Sequence, residues 1–330
     1  MSTLAPLRPV RSILRGLLAR RPGEADALIF AGEQAPIAED PVKVVSWNMH
    51  FGAGATLDDA RRFSRDEVVE NIKGIAAFIL SQGAQVVALQ EVDRDAMRSG
   101  RVDQLELLRE LTGLRHAAYA TTWDAAWVPY PLDAAPERQY GRVWSGQAVL
   151  SRFPIVRHQR YALPQPLSYS RLHNFFYLHR CFHEVVLSTG RGPLTLINAH
   201  LEAFDQPNRR LHARLLAAHM AQRQGPALAL GDFNALPPES PRRHAFHDEP
   251  HADHRGDDSV EVLRATGWQQ LGGDDPTFPL GATNRRLDYI FASPKLSARG
   301  GRPVDPGGPL SDHMPLVAEL DLPSPTDAST

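Results

Sequence analysis

Val42-Lys43-Val44-Val45-Ser46-Trp47-Asn48 is the stretch on which the reading of this chain turns. Val42–Trp47 predicts a buried strand, and the strand ends abruptly in an amide. A helix signal comes next. Ser64 and Glu67 form a capping box, Val68, Ile72, Ile75 and Ile79 recur at helical spacing, and Gly83 closes the run. Val86–Gln90 predicts a second strand. Further strands are expected at Gln147–Ser151, His183–Ser188, Leu194–Ala199, Ala227–Leu230, Leu287–Phe291 and Pro315–Leu320. A second amphipathic helix is predicted from about Pro207 to Gln224, with Leu211, Leu215 and Ala218 on its apolar face and Gly225 as its stop. Strands punctuated by helices, with no linker between them, predict one α/β domain. Asp124–Arg142 and Pro237–Asp258 are rich in Pro, Gly and charge and predict long loops.

Composition narrows the class. With 42% hydrophobic and 22% charged residues, the 330-residue chain has the profile of a folded globular protein rather than a disordered one. No apolar run approaches the roughly 18–20 residues needed to span a bilayer. The 36 basic and 38 acidic residues give a net charge of −2, which excludes a generally basic nucleic-acid coat but leaves room for a local patch. Cys181, the only cysteine, excludes an internal disulfide and a cysteine-based zinc site and fits a reducing, cytoplasmic setting. Residues 1–40 read as a basic leader. Arg8, Arg11, Arg15, Arg20 and Arg21 alternate with Ile13, Leu14, Leu17 and Leu18, a pattern that suits an amphipathic helix on an anionic membrane surface, a poorly ordered leader or a helix packed on the domain. Residues 41–322 then form the main domain, and 323–330 a tail.

The informative feature is where the polar residues fall. Apolar strands end in Trp47-Asn48, Gln90-Glu91, Asn198-Ala199-His200, Gly231-Asp232-Phe233-Asn234, Leu287-Asp288-Tyr289 and Ser311-Asp312-His313. Side by side, such ends would place carboxylates, amides and imidazoles around one pocket. Acids there are costly to desolvate unless paired or bound to a cation, and a hard divalent ion, Mg²⁺ by default for phosphate chemistry, would satisfy them.

The order of these elements resembles the endonuclease/exonuclease/phosphatase superfamily of metal-dependent phosphoesterases, which includes pancreatic-type deoxyribonuclease and neutral sphingomyelinases. The resemblance covers about Val42 to Leu320 and includes Gly146-Gln147-Ala148-Val149-Leu150-Ser151-Arg152-Phe153-Pro154, Arg285-Arg286-Leu287-Asp288-Tyr289-Ile290 and Ser311-Asp312-His313-Met314-Pro315. It implies a four-layer α/β sandwich, with two mixed β-sheets face to face, helices outside and the active site at one rim. It also implies Mg²⁺, with Mn²⁺ as a substitute, held by Glu91 with Asn48 and Asp312 nearby. Asp232 and Asn234 would lie opposite, positioning the attacking water or a second metal. His313, oriented by Asp288, would contact the scissile phosphate and so belongs to the candidate metal-side set. His200 matches the histidine that protonates the leaving oxygen. The chain departs from the abasic-site endonucleases at His50, where they carry an acid, and at His200, where they carry a tyrosine.

The implied partner is a phosphoester substrate: nucleic acid, lipid headgroup or small phosphate ester. No protein partner is expected. Arg94, Arg98, Arg101, Arg209, Arg210 and Arg214 would grip a nucleic-acid backbone. Trp123, Trp127, Tyr130, Tyr140, Tyr161, Tyr169, Phe175, Phe176 and Tyr177 would stack on bases, dip into a membrane or pack over the sheets. His244, His247, His251 and His254 have the spacing of an accessory metal site on a helix, but Pro250 breaks that helix and favours a solvated loop. The competing classes are a catalytically silent binding module and a membrane-surface adaptor on the same fold.

Overall fold

The computed structural model describes residues 22, 27–31, 41–56 and 60–322; the basic segment 1–21 and the tail 323–330 lie outside the described residues. The strands are β1 (Ala27–Phe30), β2 (Val42–Asn48), β3 (Val86–Asp93), β4 (His116–Val128), β5 (Gly141–Ser151), β6 (Ile155–Ala162), β7 (Cys181–Ser188), β8 (Pro193–His200), β9 (Ala227–Asp232), β10 (Gln269–Gln270), β11 (Asp288–Ala292), β12 (Ser297–Pro303) and β13 (Leu316–Asp321). The helices are α1 (Arg65–Ser81), α2 (Gln104–Thr112), α3 (Arg171–Phe176), α4 (Gln206–Ala221) and α5 (Ser259–Arg264). One sheet has the order β1-β4-β5-β3-β2-β13-β12 and the other β10-β11-β9-β8-β7-β6. Each contains a parallel pair, β2 with β3 and β8 with β9.

The two-residue period of the strands divides their side chains between two cores. Val42 and Val44 of β2 and Val86 and Ala88 of β3 point inward and meet Leu194 and Leu196 of β8, Leu228 and Leu230 of β9 and Ile290 of β11. The alternate residues Val45, Trp47, Val87 and Leu89 point outward, against Val68 and Ile72 of α1 and Leu105 and Leu108 of α2. On the far side, Ile197, Ala229 and Tyr289 pack against Leu216 and Met220 of α4 and Val260 and Leu263 of α5. Helix, sheet, sheet and helix make the expected four-layer α/β sandwich. Helix α1 starts at the predicted capping box, with the Glu67 amide donating to Ser64 Oγ at 3.2 Å and the Ser64 amide to Glu67 Oε2 at 2.7 Å.

Local readings differ in three places. Helix α4 turns the other way: Leu211 and Leu215 are exposed, and Ala213, Leu216, Ala217 and Met220 are buried. Polar Arg209 and His212 share the buried face because they are satisfied there, Arg209 Nε by Asp257 at 2.7 Å and His212 Nε2 by the Pro164 carbonyl at 2.7 Å. Asp124–Arg142 is loop over 129–140 but strand at both ends, since β4 continues to Val128 and β5 starts at Gly141, with Arg142 Nη1 donating to Asp124 Oδ1 at 2.6 Å. The sequence Ser-Ala-Arg-Gly-Gly-Arg-Pro of β12 carries no apolar alternation, yet it forms an edge strand on β13.

Candidate active site

The inward-facing positions change character along each central strand. In β2 they run Val42, Val44, Ser46, Asn48; in β8, Leu194, Leu196, Asn198, His200; in β9, Leu228, Leu230, Asp232. One end of the inter-sheet space is therefore hydrocarbon and the other polar. Register then fixes the neighbours: β8 and β9 pair His200 with Asp232, β9 and β11 pair Asp232 with Asp288, and β2 and β3 pair Asn48 with Gln90. The floor of the polar end bridges the sheets, with Gln90 Nε2 donating to Asn198 Oδ1 at 2.7 Å. Asn198 Nδ2 in turn lies 3.0 Å from the Leu89 carbonyl and 3.1 Å from that of Ala148.

Strict alternation would turn Glu91 away from Gln90. A register shift between Leu89 and Val92 and a positive φ of 56° at Glu91 break the alternation, and Glu91 lines the cleft. Gly231 has a similar role before Asp232. Its φ is 133°, and a Cβ there would stand 2.0 Å from the Ala199 carbonyl oxygen, so only glycine allows β9 this close to β8.

All the predicted site residues gather here. Asn48, Glu91, His200, Asp232, Asn234, Asp312 and His313 line one cavity of about 1130 Å³, and Asp288 lies behind His313. Asn48 Nδ2 donates to Glu91 Oε1 at 3.2 Å and to Asp232 Oδ2 at 3.0 Å, joining the two sides. Asp232 Oδ2 is 3.3 Å from His200 Nε2 and 3.7 Å from His313 Nε2, and His313 Nδ1 donates to Asp288 Oδ2 at 2.9 Å. The Asn234 amide nitrogen donates to Asp232 Oδ1 at 2.9 Å, and its Nδ2 to the Leu201 carbonyl at 3.1 Å. Asp312 lies 3.5 Å from His50 Nδ1.

The electrostatics separate the two histidines. Burial lowers His313, but Asp288, Asp232 and Asp312 more than reverse this and hold it well above the usual histidine value. Burial takes His200 well below that value, helped by the charges of Arg180 and His313. Burial also pushes Asp232 up to about 7, with Asp288 adding to the rise and His313 and Asn48 opposing it. Glu91 is raised by burial, yet its carboxyl ends below the usual range because His50, Arg98 and Arg180 lie close.

The donor set fits a hard divalent cation. Asp288 Oδ1 is buried without a protein partner, and Asp232 and Asp288 bring carboxylate oxygens within 4.8 Å of each other. Glu91 and Asp312 add carboxylate oxygens to the same cavity.

Sequence reasoning missed two contributors. His50, two residues after Asn48, donates through Nδ1 to the Gly54 carbonyl at 3.0 Å and lines the cleft; its position in the motif was the available signal. Arg180 also lines the cleft, and its Nε is buried without a partner; no motif marked it.

The arginines expected to grip a nucleic-acid backbone are occupied. Arg94 pairs with Asp103 at 2.7 Å, Arg98 with Asp93 at 2.9 Å, Arg101 with Asp95 at 2.7 Å and Arg209 with Asp257 at 2.7 Å. Arg210 and Arg214 share Asp258 at 2.8 Å and 2.7 Å. The aromatics divide. Trp123, Tyr130, Tyr140, Tyr169, Phe176 and Tyr177 line the cleft, whereas Tyr161 stacks on Phe182 away from it. The His244–His254 segment forms no helix; His244 bridges to Asp253, and His254 is buried beside Phe246 rather than solvated.

Two sheets whose facing ends gather carboxylates, amides and a carboxylate-held histidine define a metal-assisted hydrolase of phosphate esters. The sequence matches the Endonuclease/Exonuclease/phosphatase family over residues 45–313, and the chain belongs to that family of metal-dependent phosphoester hydrolases. Solved structures share the fold. A family protein from Beutenbergia cavernae DSM 12333 is 22% identical with a TM-score of 0.60, the alignment covering 86% of this chain and 72% of that one. One from Bacteroides vulgatus is 16% identical with a TM-score of 0.54, over 86% and 100% of the two chains. A mannosyl-6-phosphatase from Bacteroides thetaiotaomicron VPI-5482 is 17% identical with a TM-score of 0.52, over 85% and 99%. No curated protein matches the sequence.

Proposed function

We propose that this chain hydrolyses a phosphodiester by in-line attack of water, with Mg²⁺ as its cation and Mn²⁺ as a substitute. The observation that carries the reading is the position of Asp232: 3.0 Å from the amide that also holds Glu91 and within 3.3–3.7 Å of two histidines of opposite protonation tendency. Glu91, Asn48 and Asp312 would hold the cation, which when bound neutralises charge on the phosphate oxygens.

The remaining roles belong to the protein. Asp232, raised to about 7, is tuned to orient a water and accept its proton near neutrality. Asn234 commits its Nδ2 to the Leu201 carbonyl, which leaves its Oδ1 to accept from that water. His313, protonated and braced by Asp288, donates to a phosphate oxygen and is the proton source for the leaving group. His200 is neutral; it serves as a donor that fixes Asp232, a different role from the one implied by resemblance. Arg180, which lines the cleft, adds a fixed cation for the anionic substrate. A cytoplasmic setting belongs to the same proposal, on the strength of buried Cys181.

The test is a panel of soluble phosphomonoesters and phosphodiesters assayed in chelator, Mg²⁺ or Mn²⁺. The proposal expects diester turnover in either metal and none in chelator. No turnover across the panel would support the silent-module reading and defeat this one.

A further inference from the structure

β1 is the edge strand of one sheet and β6 the edge strand of the other, and among the described residues no strand pairing joins them. A chain of side-chain hydrogen bonds does. His158 Nδ1 on β6 lies 3.1 Å from the Leu28 carbonyl of β1, and His158 Nε2 lies 2.9 Å from Nδ1 of His183 on β7. The two rings meet edge to face, with centroids 5.0 Å apart. His183 is fully buried, and its Nε2 has no partner among the described residues. Arg160, the register partner of His183, fastens the same end of the molecule. It donates through Nη1 to the Pro22 carbonyl at 3.3 Å, through Nε to that of Thr121 at 2.8 Å and through Nη2 to that of His179 at 3.2 Å.

The donors and acceptors match only while both rings are neutral. A carbonyl can only accept, so His158 Nδ1 carries a hydrogen and its Nε2 is a bare acceptor. His183 Nδ1 therefore donates, and its Nε2 is a buried lone pair. A proton added to that Nε2 creates a buried cationic donor with nothing to accept from it. A proton added to His158 Nε2 faces the Nδ1–H of His183, until that ring changes tautomer and presents the same orphaned donor. A second proton sets N–H against N–H and breaks the contact.

The surroundings oppose such a charge. Arg160 is a fixed cation beside His183, and among the described residues no acid pairs with Arg160 or with either ring. Cys181 shares the inward face of β7, and burial pushes its thiol up, so it stays neutral. His116 stands on the inward face of β4, and His200 of β8 lies two positions beyond the Asn198 that pairs with His183. β1 brings no titratable side chain. Arg157 and Glu184 occupy the opposite face, where Glu184 accepts from His219 at 2.8 Å and from Arg223 at 2.9 Å. Burial takes His158 down to about 4 against the pull of the Leu28 carbonyl. Burial, then the charges of His158 and Arg160, hold His183 well below the ordinary histidine value. A histidine depressed in this way favours the closed form fully above its free value of about 6.5 and loses that preference as pH falls below it.

We propose that His158 and His183 form a pH-sensitive clasp, which ties β1 to β6 while both rings are neutral and releases β1 and the segment before it on protonation, with the two sheets still folded. The clasp uses none of the catalytic residues and stands apart from the hydrolysis reading. The test is amide hydrogen exchange of the full chain, followed by mass spectrometry at pH 7.5 and pH 5.0 and corrected for the intrinsic pH dependence of exchange. Peptides covering β1 are expected to open about thirtyfold more readily at pH 5.0, the shift for one histidine moving from about 4 to about 6.5 on release. Peptides covering β2 and β3 should keep their protection. A His158→Gln/His183→Gln variant keeps an amide donor for the Leu28 carbonyl and cannot titrate, so its β1 should stay protected at both pH values.

Wild-type β1 with the same protection at both pH values overturns the proposal. So does an equal rise of exchange in β1, β2 and β3, which would mean general acid unfolding instead of a local release. A variant that keeps the wild-type pH response would assign it to other groups and overturn the proposal as well. The wild-type comparison decides the matter even where the variant fails to fold, and no arm depends on metal or on turnover.

Discussion

Asp288→Asn isolates the charge behind His313. The carboxylate is buried, accepts from His313 Nδ1 at 2.9 Å and has no partner on Oδ1, so an amide of the same shape keeps the hydrogen bond and loses the anion. A buried hydrogen bond to a charged group contributes about 1.5–3 kcal/mol. Removing that charge should lower the His313 pKa towards the ordinary histidine value, since Asp288 is the first of the groups that hold it up. Asp232 falls too, because Asp288 is one of the groups pushing it up.

The proposed roles need Asp232 ionised and His313 protonated, so the acid limb of the pH–rate profile would belong mainly to the first and the alkaline limb to the second, within one coupled group. Both limbs should move to lower pH in the variant, with kcat down by about 10²–10⁴. Stability follows the same sign. A histidine raised in the folded state contributes stability that is fully present below its unfolded value of about 6.5 and lost as pH rises through the folded value. The variant should therefore show a smaller difference in melting temperature between pH 6 and alkaline buffer. Unmoved limbs with kcat within threefold of wild type would refute the reasoning.

Other consequences are structural or electrostatic. Arg98→Leu strands Asp93 as a buried unpaired carboxylate, and denaturant unfolding should register a loss of about 3–5 kcal/mol; a loss below 1 kcal/mol would mean the pair is dispensable. Gly231→Ala forces a Cβ to 2.0 Å from the Ala199 carbonyl oxygen at a φ of 133°, and should cost about 2–4 kcal/mol in the same assay. Because Arg94, Arg101, Arg209, Arg210 and Arg214 are already paired with acids, duplex DNA should bind weakly in a salt titration, with a shallow slope; a steep slope would show that these pairs open for phosphate.

The strands and their polar ends were legible because one physical rule writes both. Inward positions must be apolar where the sheets close and polar where they open, so Val42, Val44, Ser46 and Asn48 display the site in one line of sequence. Features that depend on distant partners were not legible. Nothing near Arg209 announces that Asp257 will bury it, and that pairing decides which way α4 faces. Gln90 and Asn198 meet across 108 residues to build the floor, a contact invisible to local patterns. Asp124 looks like a loop residue until Arg142 neutralises it across a strand pair. Arg180 lacks any motif and becomes part of the site only because β7 begins beside the cleft.

On the proposed function, Glu91 and Asp232 serve one metal-assisted phosphoester hydrolysis inside one folded cavity. Its most direct measurement is the divalent-dependent turnover of a soluble phosphodiester by Glu91→Gln and Asp232→Asn, read beside their melting curves. Folded variants with turnover reduced by at least about a hundredfold are expected. Wild-type rates in either folded variant, or full wild-type turnover in chelator, would contradict it.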